Sequence, residues 1–510
     1  MNPKKNLVPL VLLVLMFFIP VICTQALPGQ TFEKMKEAVK EKVLKNGMKF
    51  IVLERHEAPV VSFHVYADVG SAQESYGITG ISHLLEHMAF KGTKEVGTKD
   101  YEAEAPILKK LDALYDKINR ESQKIKPDQA LIEKMKEEFE TLRKKAKEYV
   151  NTNEYINLMR QEGGPYINAY TSNDATQYID SLPSNKLEFW MAMTSDRFLN
   201  PVFREFYKER DVVMEERRLR LETQPIGKLI EDFFAVSFKA HPYHHSVIGH
   251  MSDLKRITRK DVADYFKKYY SPGNLTAAIV GDVKAEEVFK MAELYFGRIP
   301  GGAKPEPLRT KEPEPWGERR VTVVAQSQPI LIVGYHRPPS RHEDNDALEA
   351  LANILGQGRS SRLYTLLVKQ EKIAAASGSF NGWPGDKYPN LLAVYAIPSK
   401  DHTSEACMEL IEKEIKKIKK ESVTPEELSK YKQTKKKRVI DRMKANRRMA
   451  ALLTYFDVVQ GDWRLTFEQL KNIDRITAED IKSAANKYLV KKNRTVGEII
   501  PEKTKNIKEK

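Results

Sequence analysis

Apolar and polar residues alternate from Val60 to Val69 (VVSFHVYADV), the pattern of a strand with one wet face. Just before it, two apolar runs flank Asn46-Gly47 (VLKNGMKFIVL, 43–53), which reads as a hairpin turn feeding the same sheet. Beyond residue 104 the period lengthens to that of a helix. Leu108, Leu111, Tyr115 and Ile118, then Ile132, Met135, Phe139, Leu142, Ala146 and Tyr149, recur at three and four on either side of Lys126-Pro127-Asp128. This predicts a helical hairpin with a coiled-coil-like seam, a docking arm, a lid or a self-packed excursion, inserted at about 104–160. Gly163-Gly164-Pro165 closes it, and Tyr166 to Ile179 returns to alternation as two strands turning at Ser172-Asn173-Asp174. If the first of these lies at a sheet edge, its free backbone groups can pair with an extended peptide.

A later pattern repeats an earlier one. ITRKDVADYFKKYYSPGNLTAAIVGD from Ile257 matches ITAEDIKSAANKYLVKKNRTVGEIIP from Ile476 at a constant spacing of 219 positions, pairing Thr258 with Thr477, Asp261 with Asp480, Tyr269 with Tyr488 and Asn274 with Asn493. The chain is an internal duplication, with Thr258 and Thr477 as helix N-caps and a strand after each asparagine. Pro300 to Trp316 is rich in Pro and Gly, as a strap between the copies should be. The second half opens with a strand over Ile330–His336 and a helix over Ala347–Leu355, and Thr424-Pro425-Glu426-Glu427 forms a capping box. The boundaries expected are a signal peptide 1–26, a first half 27–299, a linker 300–320 and a second half 321–510.

The chemistry concentrates at His83-Leu84-Leu85-Glu86-His87. Each helical residue advances about 100°, so His83 and His87 share a face with Glu86 beside them. Two imidazoles are metal ligands suited to Zn²⁺, and Glu86 is an acid-base group for the metal's water. Gly77, Gly80 and Ser82 supply loop and N-cap material ahead of the motif, while Leu84, Leu85, Met88 and Phe90 supply its apolar bed. Phe206 to Leu221 (FYKERDVVMEERRLRL) reads as a further helix whose apolar face is marked by Val212, Val213 and Leu219. Glu209 and Glu216, seven apart, fall on that same side, where a carboxylate needs a partner or a cation. Salt bridges to Arg210, Arg217, Arg218 or Arg220 would serve. Since His83 and His87 lack a third ligand, Glu216 is the choice, with Glu209 as its supporting neighbour. His241, His244 and His245 lack helical spacing and read as surface histidines.

Composition adds an address. Lys4 and Lys5 precede an apolar run from Leu7 to Ile22 and a small-residue site at Thr24-Gln25-Ala26, the form of a secretory signal; an uncleaved anchor helix is the alternative. Removing 1–26, with two lysines and no acid, lowers the net charge from +14 to +12 and leaves Cys407 alone, so no internal disulfide can form. Lysines and acids are mixed along most of the chain. The dense run from Lys435 to Arg448 fits the wet face of an amphipathic helix, with no aromatic platform beside it, so no nucleic-acid partner is expected.

With HLLEHMAFKGT (83–93), NAYT (168–171) and ERDVVMEE (209–216) in order, the chain resembles the pitrilysin family of inverted-motif zinc peptidases, in particular its processing-peptidase-like members. The resemblance spans about residues 40–500. It implies an α+β fold of two duplicated α/β-sandwich halves with the helical hairpin inserted in the first. It implies one Zn²⁺ per chain on His83, His87 and Glu216, with Glu86 as general base and Glu209 in support. It also places Asn168, Ala169 and Thr171 on the strand that pairs with a peptide substrate. Family members grip substrate with an arginine and a tyrosine seven apart in a non-catalytic half; aligned on SSRLY (360–364), those places here hold Val368 and Ala375. The expectation is therefore an exported, periplasmic zinc metalloendopeptidase acting on unfolded or short peptides, with no stable membrane span after signal cleavage, as the catalytic subunit of a heterodimer whose related partner supplies the missing pair. Arg359, Arg362, Tyr364 and Lys369 are candidate substitutes within the chain. The rival readings are a non-catalytic scaffold and a coiled-coil interaction protein with a structural zinc.

Overall fold

The computed structural model of the protein describes residues 28–502; the expected signal peptide lies outside them. Among the described residues, eleven strands form two sheets. The first, ordered β1-β2-β6-β3-β5-β4, comprises β1 (Val39–Val43), β2 (Lys49–Glu54), β3 (Val60–Ala67), β4 (Tyr166–Thr171), β5 (Thr176–Pro183) and β6 (Leu275–Gly281). The second, ordered β7-β11-β8-β10-β9, comprises β7 (Arg319–Ala325), β8 (Ile330–Arg337), β9 (Ala374–Trp383), β10 (Asn390–Pro398) and β11 (Arg494–Pro501). The duplication is visible in the pairing. β6 runs parallel to β2 and antiparallel to β3, and its repeat β11 runs parallel to β7 and antiparallel to β8. Thr258 and Thr477 each cap a helix in a reciprocal box with Asp261 and Asp480. The repeated asparagines make the same two bonds: Asn274 Nδ2 donates to the carbonyls of Tyr269 and Asp68, and Asn493 Nδ2 to those of Tyr488 and His336.

The inserted hairpin forms as helices Tyr101–Ser122 and Gln129–Lys147, seamed by Leu108, Leu111, Tyr115, Ile118, Ile132, Phe139 and Ala146. Its inner face joins the first core, and Tyr115 and Asp112 bond Arg210 and Arg259 of neighbouring helices.

The two halves exchange helices. Helices Pro425–Lys444, Asn446–Tyr455 and Leu465–Arg475 come from the second repeat, yet their Val439, Met443, Met449, Leu453, Phe467 and Ile473 pack with Ile51, Leu53, Ala278 and Val280 of the first sheet. In return, helix Pro225–Ser237 of the first repeat lays Leu229, Phe233 and Phe234 on Ile330, Ile332, Leu391 and Ile499 of the second. Phe233 sits where Gly334 and Gly497 leave bare backbone, since a Cβ on either would come within 2.8 Å of its ring. Glycines inside strands mark such close approaches.

This exchange corrects two expectations, for β3 and for the histidines at 241–245, and bears out a third. β3 is buried on both faces rather than one, because helix Asn446–Tyr455 covers the side that alternation left for water. The basic run 435–448 is amphipathic as expected, with Val439 and Met443 buried and Lys437, Arg438, Arg442, Lys444 and Arg448 exposed, while Lys435 and Lys436 pair with Glu349 and Asp474. His241 and His245 are buried rather than superficial, because the second repeat's Tyr388 packs against His241 and linker residue Glu312 accepts the backbone N–H groups of 239–241.

His64 on β3 points into the exchanged interface, where its Nδ1 meets Thr454 Oγ1 at 2.8 Å and its Nε2 has no partner. Burial lowers its pKa to about 3. A histidine depressed in the folded state leaves stability intact above its unfolded value near 6.5 and removes it as pH falls toward the folded value. The unfolding free energy of the wild type is therefore expected to fall more steeply between pH 6.5 and 4.5 than that of His64→Leu, by up to about 1.4 kcal/mol per pH unit. Denaturant titrations of both across that range check this, and equal slopes would refute it.

Candidate metal centre

His83 and His87 stand on helix Ile81–Met88, whose Ile81, Leu84, Leu85 and Met88 are buried in the first core. The helix starts at Gly80, which adopts φ 90° and brings no capping side chain. The cap comes from Glu74 instead. Its buried carboxyl accepts the N–H groups of Gly80 and Ser82 at 2.7 and 2.8 Å, while burial pushes its pKa up to about 8. Glu216 stands on helix Phe206–Arg217, which passes into a π-helical turn over Arg218–Glu222.

His83 Nε2 and His87 Nε2 lie 3.8 and 3.6 Å from Glu216 Oε2, and one donor atom from each of the three falls within 4.8 Å of the others. Among the described residues they are the one His/Cys/Asp/Glu group of this closeness. Ligands about 2.0–2.1 Å from a tetrahedral Zn²⁺ stand about 3.3 Å apart, so a slight contraction completes the site. The donor set suits zinc: two imidazole nitrogens and a carboxylate oxygen, with no fourth His, Cys, Asp or Glu joining the group among the described residues.

Charge around the three supports that fit. Burial, with His87 and Arg220 nearby, lowers the His83 pKa to about 3, which keeps its ring neutral and able to ligate. Burial also opposes charge on His87, but contact with Glu209 and the charges of Glu216 and Glu86 outweigh it and raise its pKa, so a bound cation takes the place of a proton. Glu209 Oε2 is 3.5 Å from His87 Nδ1, and its Oε1 is 2.5 Å from Lys91 Nζ. Burial opposes its charge too, yet His87 and Lys91 hold its carboxyl down at about 2. Glu209 thus orients His87. His83 has no such support, as its Nδ1 is buried without a partner. Glu86, beside the rings, accepts a 2.6 Å hydrogen bond from Thr171 Oγ1, and burial raises its carboxyl above the ordinary range.

All the residues expected from sequence are therefore placed. His83, His87 and Glu216 converge, with Glu209 behind His87 and Glu86 beside the pair. Asn168, Ala169 and Thr171 lie on β4, the edge strand of the first sheet, with Asn168 exposed, Ala169 buried and Thr171 bound to Glu86. Val212 and Leu219 depart from expectation. They are 44% and 58% exposed, and Val213 alone of the three is buried, because the helix meets the core through Phe206, Tyr207, Arg210 and Val213. Arg220 bonds Glu216 Oε1 at 2.7 Å, so one carboxylate oxygen faces a guanidinium and the other the histidines. In the second half Arg362 is held by Glu414 and Glu427, while Val368 and Ala375 offer no polar group.

Sequence reasoning passed over Glu74, Lys91 and Arg204. Lys91 lies in the KGT tail of the motif, so its spacing from His87 was the available signal. Arg204 is fully buried and donates to the carbonyls of Lys91, Thr93 and Val96 and to Glu104, holding the loop after the histidine helix on the hairpin's first turn. Nothing local marks it.

Two duplicated sandwich halves with an HxxEH helix and a distant glutamate are the architecture of the inverted-motif metallopeptidases. The profile described as insulinase (peptidase family M16) matches residues 49–107 and 140–249, and that of the peptidase M16 inactive domain matches 256–435. The chain belongs to peptidase family M16. It is 29% identical over 454 residues to the zinc protease PqqE of Helicobacter pylori, covering 87% of this chain and 89% of that protein. It is 23% identical to the mitochondrial-processing peptidase subunit beta of Saccharomyces cerevisiae, covering 84% of each. The crystal structure of a protease from Helicobacter pylori superposes with a TM-score of 0.76 at 27% identity, over 91% of this chain and 99% of that one. The periplasmic protease PqqL of Escherichia coli shares the fold at a TM-score of 0.67 and 17% identity; 91% of this chain covers 48% of PqqL.

Breaking a buried ion pair leaves a charge stranded and costs about 3–5 kcal/mol. Glu104→Ala, which strands Arg204, is expected to lower stability by about that amount and to loosen the loop carrying Lys91. Chemical denaturation gives the first effect and hydrogen exchange at residues 91–97 the second.

Proposed function

We propose that the protein is a zinc metalloendopeptidase that hydrolyses peptide bonds in short or unfolded peptides, with Glu86 as its general base. The observation that carries this is the convergence of His83, His87 and Glu216 beside the half-buried carboxylate of Glu86, which Thr171 holds by one oxygen.

Zinc, when bound, supplies a Lewis acid that polarises the scissile carbonyl and acidifies water. The rest falls to the chain. Thr171 fixes Glu86 through its Oε2, leaving Oε1 to take a proton from the attacking water and return it to the leaving amine. Burial raises the Glu86 pKa and makes it a better base near neutral pH. β4, on the edge of the sheet, offers backbone groups to an extended peptide one residue from Thr171, so recognition runs through backbone pairing and side-chain selection is loose.

Two finer points complete the reading. The enzyme acts as one member of a pair whose related subunit brings the substrate-gripping arginine and tyrosine. This is supported by Val368 and Ala375 at those places, by the capture of Arg362 in ion pairs, and by PqqL being about twice the length that this chain spans. The protein is exported, which the N-terminal signal pattern and the periplasmic setting of PqqL support. No helix among the described residues is long and apolar enough to cross a membrane.

Glu86→Gln is expected to lower kcat on an unstructured peptide by about 10²–10⁴-fold, with stoichiometric zinc retained by elemental analysis. Native mass measurement of the same preparation should show a second chain of similar size. A wild type that stays silent on such peptides with candidate partners added would favour the scaffold reading instead.

A further inference from the structure

One buried cation near the metal centre is used by neither the ligands nor the proposed base. Arg217, next to Glu216, is 6% exposed. Its Nη2 lies 3.0 and 2.9 Å from the two carboxylate oxygens of Glu231, and its Nη1 donates to the carbonyl of Gly249. Glu222 Oε1, on the π-helical turn that follows, lies 3.3 Å from Arg217 Nε, while the other two partners lead elsewhere. Gly249, at φ +76°, lies so close to the histidine helix's start that a Cβ there would stand 2.2 Å from Thr79 and 2.3 Å from Gly80 N. The next residue's N–H donates to Thr79 Oγ1 at 2.9 Å. Glu231 stands on helix Pro225–Ser237, two residues before Phe233, the ring seated over Gly334 and Gly497 of the second sheet.

We propose that Arg217, clamped by Glu231, is a positioning residue that fixes the glutamate helix and the histidine helix in a common register and ties that register to the second repeat. Three bodies meet at one guanidinium: the end of the helix carrying Glu216, the loop abutting Gly80 ahead of His83, and the helix docked on the second sheet. His83 has no polar support at Nδ1. Its distance from Glu216 is therefore set by backbone placement, and the Arg217 to Gly249 to Gly80 contact is the one that couples the two helices directly. A buried guanidinium suits this role because its planar fork satisfies a carboxylate and a carbonyl in fixed directions at once. The consequence is that the half without ligands governs how tightly the other half holds its metal.

The inference rests on zinc binding at His83, His87 and Glu216, and the experiment separates the two. Zinc affinity is measured by chelator competition on the full chain, and the Co²⁺-substituted protein is followed by its visible absorption, for wild type, Arg217→Lys, Glu231→Gln and the double variant. Losing a group that orients metal ligands typically costs about 10–100-fold in affinity. Glu231→Gln is expected to weaken zinc by that factor while full stoichiometry is still reached at saturation. Because Arg217 and Glu231 act as one unit, the double variant should be no weaker than the worse single variant. A purely structural pair would lower the unfolding midpoint and leave affinity and the Co²⁺ spectrum unchanged, as Glu414→Gln, which loosens Arg362 in the second core, should do. Glu231→Gln keeps the shape of the side chain, so it tests the idea even if Arg217→Lys fails to fold. Wild-type affinity in Glu231→Gln, or additive losses in the double variant, overturns the inference while leaving the zinc reading intact. A wild type that binds no zinc overturns both.

Discussion

The candidate metal centre depends on one constraint, the meeting of a histidine pair on one helix with a single glutamate on another that is distant in sequence. A helix places His83 and His87 correctly relative to each other through its own geometry. It does nothing to place Glu216. Among the described contacts, the placing is done by groups that pin both helices to third parties: Glu74 at the start of the histidine helix, Arg204 on the loop that follows it, and Arg217 at the end of the glutamate helix. Arg204 and Arg217 are charged groups taken out of water, and Glu74 is a carboxyl that burial drives toward its neutral form. Each is matched by directed bonds, the condition under which burying such groups is tolerable.

The same principle orders the charges inside the site. Six ionisable side chains in one small volume, His83, Glu86, His87, Lys91, Glu209 and Glu216, would repel or neutralise one another at random if each were free. Here Lys91 fixes Glu209 as an anion, Glu209 fixes the His87 ring, desolvation keeps His83 neutral, and Thr171 holds one oxygen of Glu86. The result is a set of groups held in fixed directions, with His83 kept neutral and Glu209 kept charged by their surroundings, the kind of preorganisation that lets a site avoid rearranging.

Local chemistry made much of this legible from sequence. Helical periodicity gave the hairpin at 101–147, the spacing of three and four gave the histidine pair with its glutamate, and the constant spacing of the repeat gave matching caps at Thr258 and Thr477. What stayed hidden was decided across the fold. Alternation in β3 cannot report a helix arriving from residues 446–455, so one wet face was expected where none exists. His241 and His245 look superficial until Tyr388 and Glu312 close over them. Arg204 and Arg217 resemble any surface arginine, because a buried guanidinium is identified by carbonyls and carboxylates brought from elsewhere.

The second repeat shows what the first preserved. Its helix Asn345–Gly356 follows β8 as the histidine helix follows β3, and it faces edge strand β9 as the histidine helix faces β4. Where the first half presents His83, Glu86 and His87, this helix presents Ala347, Leu348, Ala350, Leu351 and Ala352, all buried. Ser379 of β9 bonds the Ala352 carbonyl at 2.6 Å, and a Cβ at Gly356 would strike Gly378 and Ser379. Small residues have let helix and edge strand close on each other, trading a reactive groove for packing. This half carries no copy of the histidine pair on that helix. It remains indispensable all the same, because three of its helices complete the core beneath the first sheet and its own sheet anchors the helix that carries Glu231.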